Sequence, residues 1–89
     1  MKEPRLLLIG CGAFGRVHLA ALRRLGAAAM AFDADRDAAA AMGLPVAETI
    51  EAGLDACDAA IVATPVPTHV PLAIAVLLAG RDLFLEKPA

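Results

Sequence analysis

Three glycines near the amino terminus have the spacing of a phosphate-binding loop. Gly10, Gly12 and Gly15 form a G-x-G-x-x-G pattern directly after the apolar run at 6–9. At this spacing the first glycine permits a tight turn, the second lets the backbone approach a pyrophosphate, and the third lets a helix pack against the preceding strand. Open N–H groups at the start of that helix would face the phosphates. The pattern predicts a dinucleotide site, although such glycines can also mark an ordinary turn.

An aspartate follows the second apolar run at the distance expected for a ribose contact. Asp33 comes after residues 28–32, 18 positions beyond Gly15. An acidic residue about 20 positions beyond such a loop binds the ribose hydroxyls of NAD. The sequence therefore favours NAD, while Arg36 leaves room for NADP because a nearby arginine can hold the 2′-phosphate. The alternative role of Asp33 is a helix cap, which Asp35 could equally provide.

Two further polar groups follow later apolar runs, and both are expected at the ligand-binding edge of a parallel sheet. They are Thr64 and Pro65 with His69 downstream, and Glu86, Lys87 and Pro88. A lysine there could hold a substrate alcohol, polarise a carbonyl or relay a proton, or it could be a solvated lysine at a loop start. A lone histidine at the position of His69 is more often a helix-start residue than a catalyst.

The elements that must position these groups alternate along the whole chain. Strands are predicted at 6–9, 28–32, 44–47, 59–63 and 82–85, and helices at 14–25, 36–42, 50–56 and 69–79. Asp35, Thr49 and Thr68 are the predicted helix caps. This order predicts an α/β fold, a Rossmann-type doubly wound parallel sheet of about five strands with helices on both faces. The sheet is expected to be incomplete at its carboxyl-terminal end.

Composition narrows the class of protein. The 89 residues suffice for one domain, and eight basic against ten acidic side chains give a net charge of −2. No basic stripe is present for nucleic acid, and the longest apolar stretch, 70–80, is too short to span a membrane. Cys11 and Cys57 have no metal-ligand or disulfide spacing, so we expect no metal site and a cytoplasmic location. We interpret both cysteines and His18 as structural.

In combination, these motifs resemble the Gfo/Idh/MocA oxidoreductases. The shared features are the glycine loop followed by Arg16 and His18, the acidic end of the second strand, Thr64-Pro65 with His69, and Glu86-Lys87-Pro88. The resemblance runs in unbroken order from about residue 5 to residue 88. Glu-Lys-Pro after the last strand is its most specific part, since many families share the glycine loop.

The resemblance implies a role for each matching position. The pyrophosphate would lie on Gly10, Cys11, Gly12, Ala13, Phe14 and Gly15, the adenosine ribose on Asp33, the nicotinamide side against Thr64, Pro65 and His69, and the nicotinamide ribose near Glu86. Lys87 would be the catalytic residue that reaches the substrate. The family activity is NAD(P)-dependent hydride transfer to or from a polyol, sugar or related hydroxyl compound. A second domain, absent from these residues, would supply the substrate pocket, so we do not expect this chain alone to be catalytic.

Other interpretations remain open at this point. The chain could be a non-catalytic dinucleotide-binding sensor or regulatory module, or an inactive truncated fragment with an exposed sheet edge. A different dehydrogenase family that shares only the glycine loop would leave Glu86-Lys87-Pro88 unexplained. The sequence determines neither the substrate nor the oligomeric state, because specificity depends on pocket residues outside this segment.

Overall fold

Strands and helices alternate along residues 4–85, the part of the chain that the computed structural model describes. The strands are β1 (Arg5–Ile9), β2 (Ala28–Phe32), β3 (Ala59–Val62) and β4 (Asp82–Leu85). The helices are α1 (Ala13–Leu25), α2 (Arg36–Ala40), α3 (Ile50–Ala56) and α4 (His69–Leu78), with a 3₁₀ turn at Val66–Thr68 before α4. None of these helices is long and apolar enough to cross a membrane.

The four strands form one parallel sheet in the order β2-β1-β3-β4. The chain runs from β1 to β2 on one side of β1, and β3 later pairs with the other side of β1. The carboxyl ends align, because Ile9 pairs with both Phe32 and Val62, and Val62 pairs with Leu85. In open α/β sheets, a ligand cleft forms where neighbouring strands lead the chain in opposite directions. The topology therefore places that cleft beyond the ends of β1 and β3.

The apolar run of β1 is buried on both faces of the sheet. Leu7 and Ile9 belong to a core formed with α3 and α4, which contribute Leu54 and Val76. Leu8, between them, belongs to a second core with α1 and α2. Alternate residues of a strand point to opposite faces, so a strand covered on both sides needs a continuous apolar sequence. The predicted doubly wound α/β architecture is thereby confirmed.

The strand predicted at 44–47 is reduced to a single bridge in the structure. Val46 pairs with Ala31 of β2, and two backbone hydrogen bonds of 2.9 Å run from Ala31 N to Pro45 O and from Ala47 N to Ala31 O. Pro45 has no N–H to extend the ladder, which explains why pairing stops there. Within residues 4–85 the sheet therefore has four strands and an edge bridge instead of five strands.

Two of the three predicted helix caps are confirmed. Asp35 Oδ1 accepts hydrogen bonds from Asp37 N and Ala38 N at the start of α2, at 3.1 and 3.3 Å. Thr49 Oγ1 accepts one from Ala52 N at 3.0 Å at the start of α3. Both side chains satisfy N–H groups that the helix itself leaves unpaired.

The cap predicted at Thr68 is wrong. Thr68 lies in the 3₁₀ turn with helical backbone angles, and its hydroxyl donates back to Pro65 O at 2.6 Å instead of accepting from α4. A capping residue needs an extended backbone to aim its side chain at the next turn. The helix predicted at 36–42 also ends earlier, at Ala40, because the next turn closes with shorter-range bonds such as Gly43 N to Ala40 O.

Candidate functional site

A cleft of about 940 Å³ opens at the carboxyl edge of the sheet, between the ends of β1 and β3. Its volume is in the range typical of small-molecule sites. The predicted site residues that line it are Gly10, Gly12, Ala13, Phe14, Asp33, Thr64, Pro65 and His69. Cys11 and Gly15 lie behind this surface, buried in the loop. Glu86 and Lys87 lie outside the described residues.

Two glycines of the loop are required for it to close against the sheet. Gly10 has a φ of +102°, and a Cβ there would lie 2.8 Å from the carbonyl carbon and oxygen of Ala63. A Cβ at Gly15 would lie 2.0 Å from Gly10 O. These neighbours are backbone atoms that cannot rotate away. The first and third glycines therefore set the shape of the loop through close backbone approach.

Gly12 differs because the fold does not need it to be glycine. Its φ is −83°, and a Cβ there would meet nothing within 4 Å. It occupies the N-cap of α1 without a side-chain cap, and the first turn of α1 has no acidic residue. The N–H groups of that turn are therefore available to an anion, favoured by the helix dipole. The open space beside Gly12 fits a pyrophosphate that approaches the backbone closely.

The carboxylate of Asp33 is held between the glycine loop and the start of α2. Its Oδ2 accepts a hydrogen bond from Cys11 N and its Oδ1 accepts one from Asp35 N, each at 2.8 Å. Asp35 caps α2, so the alternative cap role does not apply to Asp33. Each carboxylate oxygen retains a further lone pair, and the residue is only half-buried. The fixed carboxylate can therefore still accept two hydroxyl groups from a ribose.

The thiol of Cys11 is a packed, protonated group in this site. The residue is 1% exposed, and its Sγ lies 3.6 Å from Phe32 O. Burial, with a smaller effect from the charge of Asp33, raises the pKa of Cys11 from 9.0 to about 11. A thiol is reactive as its thiolate, so this environment suppresses nucleophilic chemistry. The contribution of Cys11 to the site is its backbone N–H, which holds the Asp33 carboxylate.

The other residues interpreted as structural are also packed against neighbours. His18 meets Phe84 edge to face, with 5.7 Å between ring centroids. Cys57 is buried, and its pKa is raised mainly by that burial. Among residues 4–85, no cluster of three or more His, Cys, Asp or Glu side chains could hold a metal ion.

The opposite wall of the cleft consists of residues 64–69, which follow β3. The imidazole of His69 is only 7% exposed, and its Nε2 lies 2.7 Å from Thr64 O. A carbonyl oxygen can only accept, so Nε2 carries the proton and donates it. His69 therefore links the start of α4 to Thr64, which follows β3, and does not present this nitrogen to a ligand.

Two threonine hydroxyls meet on the same wall. Thr64 Oγ1 and Thr68 Oγ1 are 2.5 Å apart, and Thr68 Oγ1 lies 2.6 Å from Pro65 O. Sequence reasoning assigned Thr68 only to a helix cap and missed this contact. No signal in the sequence identified it, because Thr64 lies before the helix and the contact depends on the 3₁₀ turn at 66–68.

A smaller hollow of about 330 Å³ lies on the outer side of Asp33. Arg36 borders it, together with Val46, Glu48 and Thr49 from the segment that follows the edge bridge. Sequence reasoning assigned no site residue to this segment, because 44–47 was predicted as a strand. The hollow adjoins Asp33.

Comparison with known proteins agrees with this geometry. A family model described as oxidoreductase family, NAD-binding Rossmann fold, matches residues 5–89. Inositol 2-dehydrogenase of Rhizobium meliloti is 40% identical over 92 residues, which cover 94% of this chain and 28% of that protein. The chain therefore spans less than a third of the curated relative.

Solved structures of dehydrogenases superpose on nearly the whole chain. The WlbA dehydrogenase of Bordetella pertussis, in complex with NADH and UDP-GlcNAcA, is 31% identical with a TM-score of 0.84 over 98% of this chain and 29% of that one. GenD2 from gentamicin A biosynthesis, in complex with NAD, is 28% identical with a TM-score of 0.86 over 99% of this chain and 28% of that one. The glycine loop, the cleft and these matches lead to one conclusion: the chain belongs to the Gfo/Idh/MocA oxidoreductase family and carries its NAD-binding Rossmann fold.

Proposed function

We propose that this chain is the cofactor-binding part of an oxidoreductase that moves a hydride between NAD and a carbon bearing a hydroxyl group in a polyol, sugar or related compound. The observation that carries the proposal is the glycine loop, closed by Gly10 and Gly15 and tied to Asp33 at the mouth of the cleft. The relatives named inositol 2-dehydrogenase support the substrate class. Both described cysteines are free thiols, which suits a reducing cytoplasm.

In this proposal the cleft residues bind NAD along its length. The first turn of α1 and the open side of Gly12 bind the pyrophosphate, and Asp33 accepts the adenosine ribose hydroxyls. The adenine extends into the hollow beside Arg36, and the nicotinamide lies against Thr64 and Pro65. The same carboxylate repels a 2′-phosphate, so NAD is favoured over NADP. When bound, NAD supplies the hydride chemistry, and the protein supplies orientation.

The proton side of the reaction is assigned to Lys87. The residue follows β4, whose last residue, Leu85, pairs with Val62 at the edge where the cleft opens. In the whole protein Lys87 reaches the substrate hydroxyl and moves its proton, while Glu86 contacts the nicotinamide ribose. The substrate is a small molecule, and a further domain helps to bind it. The proposed function involves neither nucleic acid nor a membrane.

The assignment of Lys87 is tested in the complete enzyme. Lys87→Ala should lower kcat by about a hundredfold or more, the size of a general acid–base contribution, with little change in the dissociation constant of NADH. Lys87→Arg, which keeps the charge but cannot release its proton, should also be slow. A Lys87→Ala enzyme that keeps its rate but loses NADH affinity would contradict the assignment.

The binding proposal is tested with the chain itself. Purified protein is titrated with NADH and, in parallel, with NADPH, and nicotinamide fluorescence is followed; the chain has no Trp or Tyr to interfere. We expect saturable binding that is tighter for NADH. Circular dichroism establishes that the chain is folded. A folded chain that binds neither nucleotide would contradict the proposal.

A further inference from the structure

The two threonine hydroxyls on the wall formed by residues 64–69 have a fixed hydrogen-bond direction. Thr68 Oγ1 lies 2.6 Å from Pro65 O, and a carbonyl oxygen has no proton to give, so Thr68 donates to Pro65. A hydroxyl has a single proton. In the contact between Thr64 Oγ1 and Thr68 Oγ1, Thr68 must therefore accept and Thr64 must donate.

This direction leaves the Thr64 oxygen without a proton for the cleft. Thr64 lines the cleft, and its one proton points to Thr68. Neighbouring acceptors are already engaged: Thr64 O accepts from His69 Nε2, and Pro65 O accepts from both Thr68 N and Thr68 Oγ1. Within residues 4–85, the Thr64 hydroxyl thus offers lone pairs and no donor to a ligand.

The turn keeps this arrangement in place. Pro65 and Pro67 fix two φ angles between the threonines, and the 2.9 Å bond from Thr68 N to Pro65 O closes the turn. His69, buried at the start of α4, holds the two ends of the turn together through its hydrogen bond to Thr64 O. The acceptor character of Thr64 is therefore imposed by its neighbours and does not follow from its own side-chain type.

We propose that Thr68 is a positioning residue that makes Thr64 Oγ1 an obligatory acceptor, and that this acceptor selects a ligand bearing an N–H donor, the neutral carboxamide of a nicotinamide, over a carboxylate. The proposal rests on the function proposed above, which places the nicotinamide at this wall. A nicotinic acid ring has the same shape but presents only lone pairs and a negative charge. Opposite the Thr64 acceptor, the carboxylate of nicotinic acid cannot donate a hydrogen bond, and the Thr64 lone pairs stay unsatisfied.

The experiment compares NAD with nicotinic acid adenine dinucleotide, each displacing NADH from the chain, with ADP-ribose as the ligand that lacks the ring. For the original chain we expect NAD to bind about tenfold or more tightly than the acid analogue, the value of one hydrogen bond together with the repulsion between a carboxylate and the Thr64 lone pairs. Thr68→Val frees the Thr64 proton to turn towards the cleft, so the preference should fall to about threefold or less. ADP-ribose binding should stay unchanged.

Two matched variants separate positioning from simple packing. Thr68→Ser keeps the hydroxyl and should keep the preference, although it removes the γ-methyl group of Thr68 from the packing. Thr64→Val should remove the preference, and adding Thr68→Val to it should change nothing more, because Thr68 acts through Thr64.

The outcomes distinguish this inference from the function on which it rests. If the original chain binds NAD and ADP-ribose but Thr68→Val keeps the full preference for NAD over the acid analogue, the inference is wrong and the binding proposal stands. If the folded original chain binds none of the three ligands, both are wrong. Equal affinity of the original chain for NAD and the acid analogue would also overturn the inference.

Discussion

The two walls of the cleft are built from different parts of the chain. The wall formed by the glycine loop and Asp33 is mainly backbone: its shape depends on glycines whose Cβ atoms have no room, and its polar groups are N–H groups and one tethered carboxylate. The wall formed by residues 64–69 depends on side chains: the Thr64 hydroxyl donates to Thr68 Oγ1, and the Thr68 hydroxyl and the buried His69 imidazole donate to carbonyl groups.

This difference indicates how each wall should respond to substitution. A backbone wall fails when a side chain is added, because fixed atoms collide. A side-chain wall fails when a hydrogen bond is lost, and it can fail in ligand preference without losing its fold.

Adding one methyl group at Gly15 should disrupt the fold. In Gly15→Ala the new Cβ would lie 2.0 Å from Gly10 O, so β1 and α1 must separate. We expect the free energy of unfolding to fall by about 3 kcal/mol or more, a large part of the stability of a small domain. Urea denaturation measures it.

Gly53→Ala is the matched control, because the three atoms nearest to its Cβ would belong to side chains: the two methyl carbons of Leu7, at 2.8 Å, and the Cβ of Ala47, at 3.1 Å. A side chain can move where a carbonyl cannot, so the loss should be smaller. Equal stability of Gly15→Ala and the original chain would show that the loop is not held by close backbone approach.

Replacing Asp33 should change nucleotide preference more than stability. Asp33→Ser removes a charged acceptor from the ribose site, so the affinity for NADH should fall by about 10- to 100-fold, the value of hydrogen bonds to a charged group. NADPH should lose less, because repulsion of its 2′-phosphate is also removed. Parallel fluorescence titrations measure both.

Asp35→Ser is the control for Asp33→Ser, since serine also caps helices well and α2 should keep its start. This variant should retain the preference for NADH. If the NADH/NADPH ratio stayed constant in Asp33→Ser, the ribose role of Asp33 would be wrong.

The buried thiol behind the glycine loop should produce a small dependence of stability on pH. The pKa of Cys11 is raised from 9.0 to about 11 in the folded chain, so both states are protonated below about pH 9 and the contribution is complete there. As the pH rises from 9 towards 11, the unfolded chain loses its proton first and the folded state is destabilised. Cys57 acts in the same direction.

Denaturation curves between pH 8 and 10.5 measure this dependence. Cys11→Ser, which does not titrate in this range, should show a shallower decline in the free energy of unfolding than the original chain. Identical slopes for the two proteins would show that the Cys11 thiol is not held protonated by the fold.

The sequence predicted most of the fold because its signals are local. The continuous apolar run of β1 and the caps at Asp35 and Thr49 depend on residues a few positions apart, and all three match the structure. The segment at 44–47 failed because a strand needs a partner, and Pro45 limits its pairing to one bridge. Whether an edge segment pairs depends on residues distant in the chain.

The same limit applies to the site. Glycine spacing and Asp33 indicated the backbone wall, because the first and third glycines have a steric reason that can be recognised from their positions. The hydroxyl contact of Thr68 could not be predicted, since it depends on the 3₁₀ turn that precedes α4 and on a carbonyl that already accepts an N–H. The direction of a hydrogen bond between two hydroxyl groups can be assigned only when the other partners of both groups are known.

The substitution Gly12→Ala tests the central claim, that the open side of the glycine loop binds the pyrophosphate. The new Cβ would meet nothing within 4 Å at a φ of −83°, so the free energy of unfolding should change by no more than about 1 kcal/mol. NADH titration of this variant should nevertheless show an affinity at least about tenfold lower, because the methyl group occupies the path of the phosphates. A folded Gly12→Ala chain that binds NADH as tightly as the original would contradict the account.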